Sequence, residues 1–371
     1  MIKSIRTLAV LLLTVAVGVG SIKAARRAPA QQRVKVACVG NSITFGTGTP
    51  DPETCSYPAQ LRGLMDITLY DIRKFGRPGA TVLDKGHNPY GKSPEHAALL
   101  EFAPDIAVIH IGINDTDPRN WPNYNDEFVG DLYALTQRLR DRNPDVRLIM
   151  ALHSPVRVTH PRFKSGTRLW RDKVRHAAAT VAEMAGAEVI DFETPLMDRM
   201  DLLPDGLHPN PEGLGLLAQS VASAITGDYG GLKMGPLYTD NMVIQRNRPI
   251  HIAGTADAGA RISVTIGPNK ATTVADKRGH WRVELPAMTA STGNTLSVSD
   301  GVTDLTYKNV AIGEVWVASG QSNMAFELRN AIAGKEAAAE AGNPRLRFFN
   351  MRPLYPTYAK QWSDSVMAEV N

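Results

Sequence analysis

Two cysteines, few aromatic side chains and no long apolar run after its first thirty residues mark what this 371-residue chain has little of. Two cysteines cannot build a disulfide framework. Cys38 lies in an apolar, strand-like run and Cys55 in a polar loop, so the two could pair, but free thiols are expected. Aromatics make up 6% of the residues, which gives no stacking platform for bases. The formal charge of +4 is also thin: five of the 41 bases (Lys3, Arg6, Lys23, Arg26, Arg27) sit in the first thirty residues, leaving 36 against 37 acids. A near-neutral body offers no electrostatic footprint for nucleic acid, which excludes DNA or RNA as partner. His87, His96, His153, His160 and His176 are scattered without a metal-ligand spacing, and no Cys or carboxylate cluster completes one. No metal or other cofactor is called for.

What is present begins with a leader. Lys3 and Arg6 precede the apolar run Leu8 to Val19, and small-residue cleavage candidates follow at Ala24 and Ala28-Pro29-Ala30. Residues 1–30 are expected to be a signal peptide and leader. A membrane anchor is the alternative, but the run is twelve residues long, where a span needs roughly twenty, and no lipid-accepting cysteine follows closely. Export to the periplasm or beyond the cell is the expectation, with cleavage, no stable membrane insertion and a soluble mature chain.

The length is about twice that of an ordinary domain. From 31 to 226 the sequence alternates short apolar runs (Val34–Val39, Ile106–Ile111, Val146–Leu152, Glu188–Phe192) with amphipathic stretches such as Asp126–Arg142 and Leu169–Ala185. β-Branched runs without polar alternation suit strands buried on both faces, so an α/β domain with a parallel sheet is expected. A Gly-rich linker, 227–236, leads to residues 237–312, where short β-type runs (Ile250–Ala253, Arg261–Ile266, Trp281–Leu285, Thr295–Ser299) predict a small all-β sandwich. Residues 313–371 read as the incomplete start of another α/β unit, opened by Glu314–Ala318.

Gly40-Asn41-Ser42-Ile43-Thr44 follows the first strand and puts a hydroxyl at the carboxyl edge of a parallel sheet, where such sheets hold ligands. No GK[ST] follows, which excludes a Walker phosphate loop. A serine there can act as nucleophile if a base takes its proton and donors hold the oxyanion. Asp205-Gly206-Leu207-His208 supplies a carboxylate and an imidazole three residues apart, able to meet at one point. Gly112-Ile113-Asn114-Asp115, just after the most apolar strand, can aim an amide N–H into the same cleft.

In that order, these blocks resemble the SGNH or GDSL hydrolase family, whose members cleave esters; Phe75-Gly76-Arg77-Pro78-Gly79-Ala80-Thr81 resembles its remaining block. The resemblance implies a flavodoxin-like three-layer domain over 31–226. It also implies Ser42 as nucleophile, Asp205 and His208 as its partners, and an oxyanion hole made by the backbone N–H groups of Ser42 and Gly79 with the Asn114 side chain. The family's usual GDS is GNS here, with the nucleophile kept. His110, inside a strand, reads as a satisfied core group. Trp121 reads as loop packing, with a sugar platform as the alternative.

A second set of residues is similar to the sialate O-acetylesterase family: Tyr238-Thr239-Asp240-Asn241-Met242-Val243-Ile244-Gln245-Arg246, then Gly313-Glu314-Val315-Trp316-Val317-Ala318-Ser319-Gly320-Gln321-Ser322-Asn323-Met324. That resemblance implies Ser322 as a second nucleophile. No histidine follows His280, so Ser322 lacks a base here, and a longer two-site enzyme carrying that base further on is the expectation. The resemblances together imply an exported serine esterase that removes acetyl groups from an acetylated glycan, sialic acid first and plant polysaccharide second. A lipase or thioesterase of the same fold and a non-catalytic glycan-binding protein are the alternatives. Oligomeric state is not legible.

Overall fold

A computed structural model describes residues 32–156, 167–197, 199–320 and 322–349. The leader and His160 lie outside the described residues. The first strands are β1 (Val34–Gly40), β2 (Tyr70–Gly76), β3 (Ile106–His110), β4 (Arg147–Leu152) and β5 (Glu188–Asp191). They form one all-parallel sheet in the order β2-β1-β3-β4-β5. Around it run α1 (Ser42–Phe45), α2 (Pro52–Cys55), α3 (Tyr57–Leu64), α4 (Pro94–Phe102), α5 (Trp121–Tyr124), α6 (Phe128–Arg142), α7 (Thr167–Met184) and α8 (Pro211–Thr226).

Side chains alternate across a strand, and here both faces are apolar. Ala37 and Val39 of β1, Ala107 and Ile109 of β3, and Leu148 and Met150 of β4 pack against Leu99, Leu132, Leu135, Leu139, Val174 and Val181 of α4, α6 and α7. Val36, Cys38, Val108, Ile149 and Ala151 face the other way, onto Tyr57, Leu61, Leu214, Leu217 and Val221 of α3 and α8. The result is the doubly covered parallel sheet expected from the unbroken apolar runs, in the three-layer arrangement that the family resemblance implies. Cys38 and Cys55 are free thiols, and burial pushes the Cys38 thiol up to about 12.

β2 had no counterpart among the expected strands. As an edge strand it meets one neighbour only, and its charged Asp71, Arg73 and Lys74 break the apolar signature that the central strands carry.

Beyond α8 come β6 (Lys233–Met234), β7 (Val243–Gln245), β8 (Ile250–Thr255), β9 (Arg261–Ile266), β10 (Asn269–Val274), β11 (His280–Leu285), β12 (Ser291–Ser299) and β13 (Asp304–Gly313). They make two sheets, β10-β9-β12-β13-β7 and β11-β8-β6. Every pair is antiparallel except β13 with β7. One apolar core lies between the two sheets, with Ile250, Ile252, Trp281, Val283 and Leu285 facing Ile262, Val264, Ile266, Leu296, Val298 and Ile312. β6 falls inside the stretch expected to be linker.

That stretch is pinned rather than loose. The Asp257 carboxylate accepts from the Tyr229 and Gly231 amides at 2.8 and 3.0 Å. Arg147, the first residue of β4, pairs with Glu188, the first of β5, and donates to the Ala224 and Ile225 carbonyls at the end of α8. The β unit thus attaches at the amino edge of the parallel sheet.

The run Glu314–Ala318, expected to open an α/β unit, joins no sheet: Trp316 is 87% and Val317 92% exposed. A β-branched run reads as a buried strand from sequence, but burial needs a neighbouring strand, and among the described residues none pairs with it. A short helix, α9 (Gly334–Glu340), follows.

Candidate active site

Three adjacent strands end level with one another: Gly40 of β1 pairs with Gly76 of β2 on one side and His110 of β3 on the other. The three segments that leave this carboxyl edge begin at Asn41, Arg77 and Ile111, and each carries one of the expected blocks. Glycine ends β2 because α1 lies directly over it; an added Cβ at Gly76 would sit 2.5 Å from the Phe45 amide nitrogen.

α1 starts at Ser42, capped by Asn41, whose Oδ1 accepts from the Ile43 amide at 3.2 Å. Asn and Asp serve equally as N-caps, so the GNS sequence performs the cap that GDS would. As the first helical residue, Ser42 has an amide with no intrahelical acceptor. Its side chain is buried, 5% exposed.

His208 and Asp205 lie on the loop before α8. His208 Nε2 is 2.9 Å from Ser42 Oγ, and its Nδ1 is 2.6 Å from Asp205 Oδ2. The other Asp205 oxygen accepts from the Leu207 and His208 amides at 2.9 and 2.7 Å. Burial pushes the Asp205 carboxyl up, but hydrogen bonds from the His208 ring and from both amides outweigh it and hold the group below the usual carboxylate range. An ionised Asp205 fixes the imidazole with Nδ1–H donating to it, which leaves Nε2 as acceptor for the Ser42 hydroxyl. Serine, imidazole and carboxylate form one hydrogen-bonded relay.

The donors are built by the other two segments. Gly79 has φ of +74°, a left-handed conformation that suits glycine, in the turn closed by Ala80 N to Arg77 O at 3.2 Å. Its own amide donates to no acceptor among the described residues. Asn114, 7% exposed, gives one of its two N–H bonds to Ala80 O at 2.9 Å. Gly79 and Asn114 are therefore tied to one loop, at the edge that carries Ser42.

Three groups that sequence reasoning passed over hold this loop. The Asp115 carboxylate accepts from the Val82 and Leu83 amides. Asn120 accepts from the His87 amide and donates to Asn114 O. Arg77 spans Asn88 and Glu95. Asp115 and Arg77 stood inside the family-like blocks without a role of their own; Asn120 carries no spacing signal.

His110 is fully buried against Phe192 and His153, with ring centroids 4.9 and 5.4 Å away. The expectation of a satisfied core group needs correcting: both its ring nitrogens lack a hydrogen-bond partner among the described residues. Burial drives its pKa down to about 3, so the ring is neutral. Trp121, 6% exposed, packs edge-on to Phe128 in the core and presents no platform to a sugar. Among the described residues no group of three or more His, Cys, Asp or Glu is placed to hold a metal, and no helix is long and apolar enough to cross a membrane. Ser322 begins a short 3-10 turn, Ser322–Ala325, beyond the sandwich; its side chain lies outside the described part.

Residues 38–215 match the GDSL-like Lipase/Acylhydrolase family. Over 217 residues the chain is 31% identical to an acetylxylan esterase of Xylanibacter ruminicola, an alignment covering 53% of this chain and 44% of that protein. The chain therefore spans less than half the length of that relative. Among solved structures, it is similar to a carbohydrate acetylesterase from Xanthomonas citri (35% identity, 30% of this chain and 26% of that one, TM-score 0.30). It is also similar to an acetylxylan esterase from Geobacillus stearothermophilus (21% identity, 51% and 92%, TM-score 0.40). Over residues 38–215 the chain is thus similar to the GDSL-like Lipase/Acylhydrolase family, and that region has a parallel-sheet α/β fold followed by further β-sheets.

Proposed function

We propose that the chain is a serine esterase that removes O-acetyl groups from carbohydrate. The observation that carries this reading is the relay from Ser42 through His208 to Asp205 at the carboxyl edge of the sheet. His208 Nε2 takes the Ser42 proton as Oγ attacks the acetyl carbonyl. The N–H groups of Ser42, Gly79 and Asn114 receive the oxyanion of the tetrahedral intermediate. His208 then protonates the departing sugar oxygen, leaving acetyl on Ser42. Water, deprotonated by the same imidazole, releases acetate and restores the serine. Every step uses this chain's own groups.

For the substrate, likeness to an acetylxylan esterase moves acetylated polysaccharide ahead of O-acetylated sialic acid. The sialate reading rests on the segments around Asp240 and Ser322, which lie outside the matched domain. The leader supports action outside the cytoplasm. Acetate release from acetylated xylan, O-acetylated sialic acid and a longer-chain acyl ester, each with and without Ser42→Ala, tests the proposal. Serine-dependent release that is fastest from xylan supports it. Preference for the long acyl chain would favour the lipase reading, and glycan binding without acetate release would favour a binding protein.

A further inference from the structure

Asn114 and Asp115 are consecutive, and both side chains grip the same loop from one short 3-10 turn, Ile113–Thr116. Asn114 holds Ala80 O. Asp115 holds the amides two and three residues further on, with Val82 N 2.9 Å from Oδ2 and Leu83 N 2.9 Å from Oδ1. The next amide, Asp84, donates to the Asp131 carboxylate, and His87 to Asn120. Four loop amides are thus captured by side chains from 115 to 131.

Asp115 is the strangest of these anchors. It is fully buried, and among the described residues no Lys, Arg or His pairs with it. Burial raises its pKa to about 7, and Asp131 nearby adds like charge. A neutral asparagine would avoid that cost to stability. It would not fit the site, because an amide has one acceptor oxygen and one donor NH2, whereas two N–H donors face this side chain. Only an acceptor at both atoms satisfies them.

We propose that Asp115 is the positioning residue of the oxyanion hole: by clamping Val82 and Leu83 it fixes the loop that carries Gly79 and the Ala80 carbonyl on which Asn114 rests. The closed ring Asn114–Ala80–Val82–Asp115 sets the two donors relative to each other. Asp115 itself touches no reacting atom. This inference rests on the esterase reading of the same site.

The test compares wild type, Asp115→Asn and Ser42→Ala on 4-nitrophenyl acetate, with phenylboronic acid as a probe that forms a tetrahedral adduct on the serine. In Asp115→Asn, kcat should fall about 10- to 100-fold while KM stays within about twofold, the mark of an interaction made only in the transition state. The boronic acid Ki should rise by a similar factor. A role in stability alone would lower Tm and leave the kcat of folded enzyme and the Ki unchanged, which would overturn the proposal. If Asp115→Asn does not fold, Asp115→Ala, with room for a water to accept from both amides, takes its place. Failure of both to fold assigns Asp115 to folding and also overturns the proposal. Full activity in Ser42→Ala would instead sink the esterase reading, a result distinct from any of these.

Discussion

His208 Nε2 sits 2.9 Å from Ser42 Oγ although 166 residues separate them in sequence. The contact exists because α1 leaves the end of β1 while the loop before α8 returns to the same edge, held by Gln60 on α3, which donates to the Pro211 carbonyl at 2.8 Å. Helix α8 packs its apolar face beside α3 on the sheet, so the core that stabilises the domain also brings His208 to Ser42.

Replacing Asp205 by Asn should keep the fold and lose catalysis. The amide cannot hold the imidazolium or enforce its tautomer, and kcat should drop by about 10³- to 10⁴-fold. Steady-state kinetics alongside a thermal melt close to wild type would check it; a fall of less than tenfold would contradict an electrostatic role.

On the proposed mechanism, Asn114→Ala removes one oxyanion donor together with the bond to Ala80 O. A loss of about 10²- to 10³-fold in kcat with little change in KM is expected. If KM rises instead while kcat holds, Asn114 binds the ground state and the assigned role is wrong.

How much of this was legible in sequence follows burial. β1, β3 and β4 stand out because both their faces are apolar, and edge strand β5 keeps only Val189 and Ile190 of that signature, whereas edge strand β2 and edge strand β10, with its Asn, Lys and Thr residues, lack it. Ser42 and Asn114 are readable because they follow strand ends, and Asp205 and His208 because an Asp-x-x-His spacing can bring a carboxylate and an imidazole together. Asp115 is not, since its importance lies in two backbone amides with no residue identity. The run at Glu314 joins no sheet among the described residues, because apolar composition leads to burial only where a partner strand supplies it.

Acid should weaken the fold through two histidines. Burial lowers the pKa of His110 to about 3 and holds His153 well below the ordinary range, by desolvation and then by the neighbouring His110. Above about pH 6.5 neither the folded nor the unfolded chain protonates them. Below it the unfolded chain binds protons that the folded one refuses, so stability falls by up to about 1.4 kcal/mol per pH unit for each histidine. Asp115 opposes this: its raised pKa lets the folded state take up a proton between about 7 and the ordinary carboxylate value, which adds stability as pH falls through that window. The two histidines outweigh the one aspartate below about pH 6. Denaturant titrations of wild type and His110→Phe at pH 7 and pH 4.5 read the difference; the variant should lose less stability on acidification. An equal loss in both would show that His110 is not held neutral.

Arg147 tests the separation of stability from catalysis. It joins Glu188 to the carbonyl end of α8 at the amino edge of the sheet, away from Ser42. Arg147→Ala should cost about 1–3 kcal/mol and leave kcat unchanged, checked by denaturant unfolding and turnover on one preparation. A large drop in kcat with intact fold would mean that the amino edge of the sheet communicates with the edge that carries Ser42.

The central claim is that Ser42 is the nucleophile, and turnover of Ser42→Ala measures it most directly. With 4-nitrophenyl acetate at neutral pH, the account predicts a kcat loss of about 10⁵- to 10⁶-fold in a protein that still melts cooperatively. Activity within tenfold of wild type would contradict it and place the chemistry elsewhere in the chain.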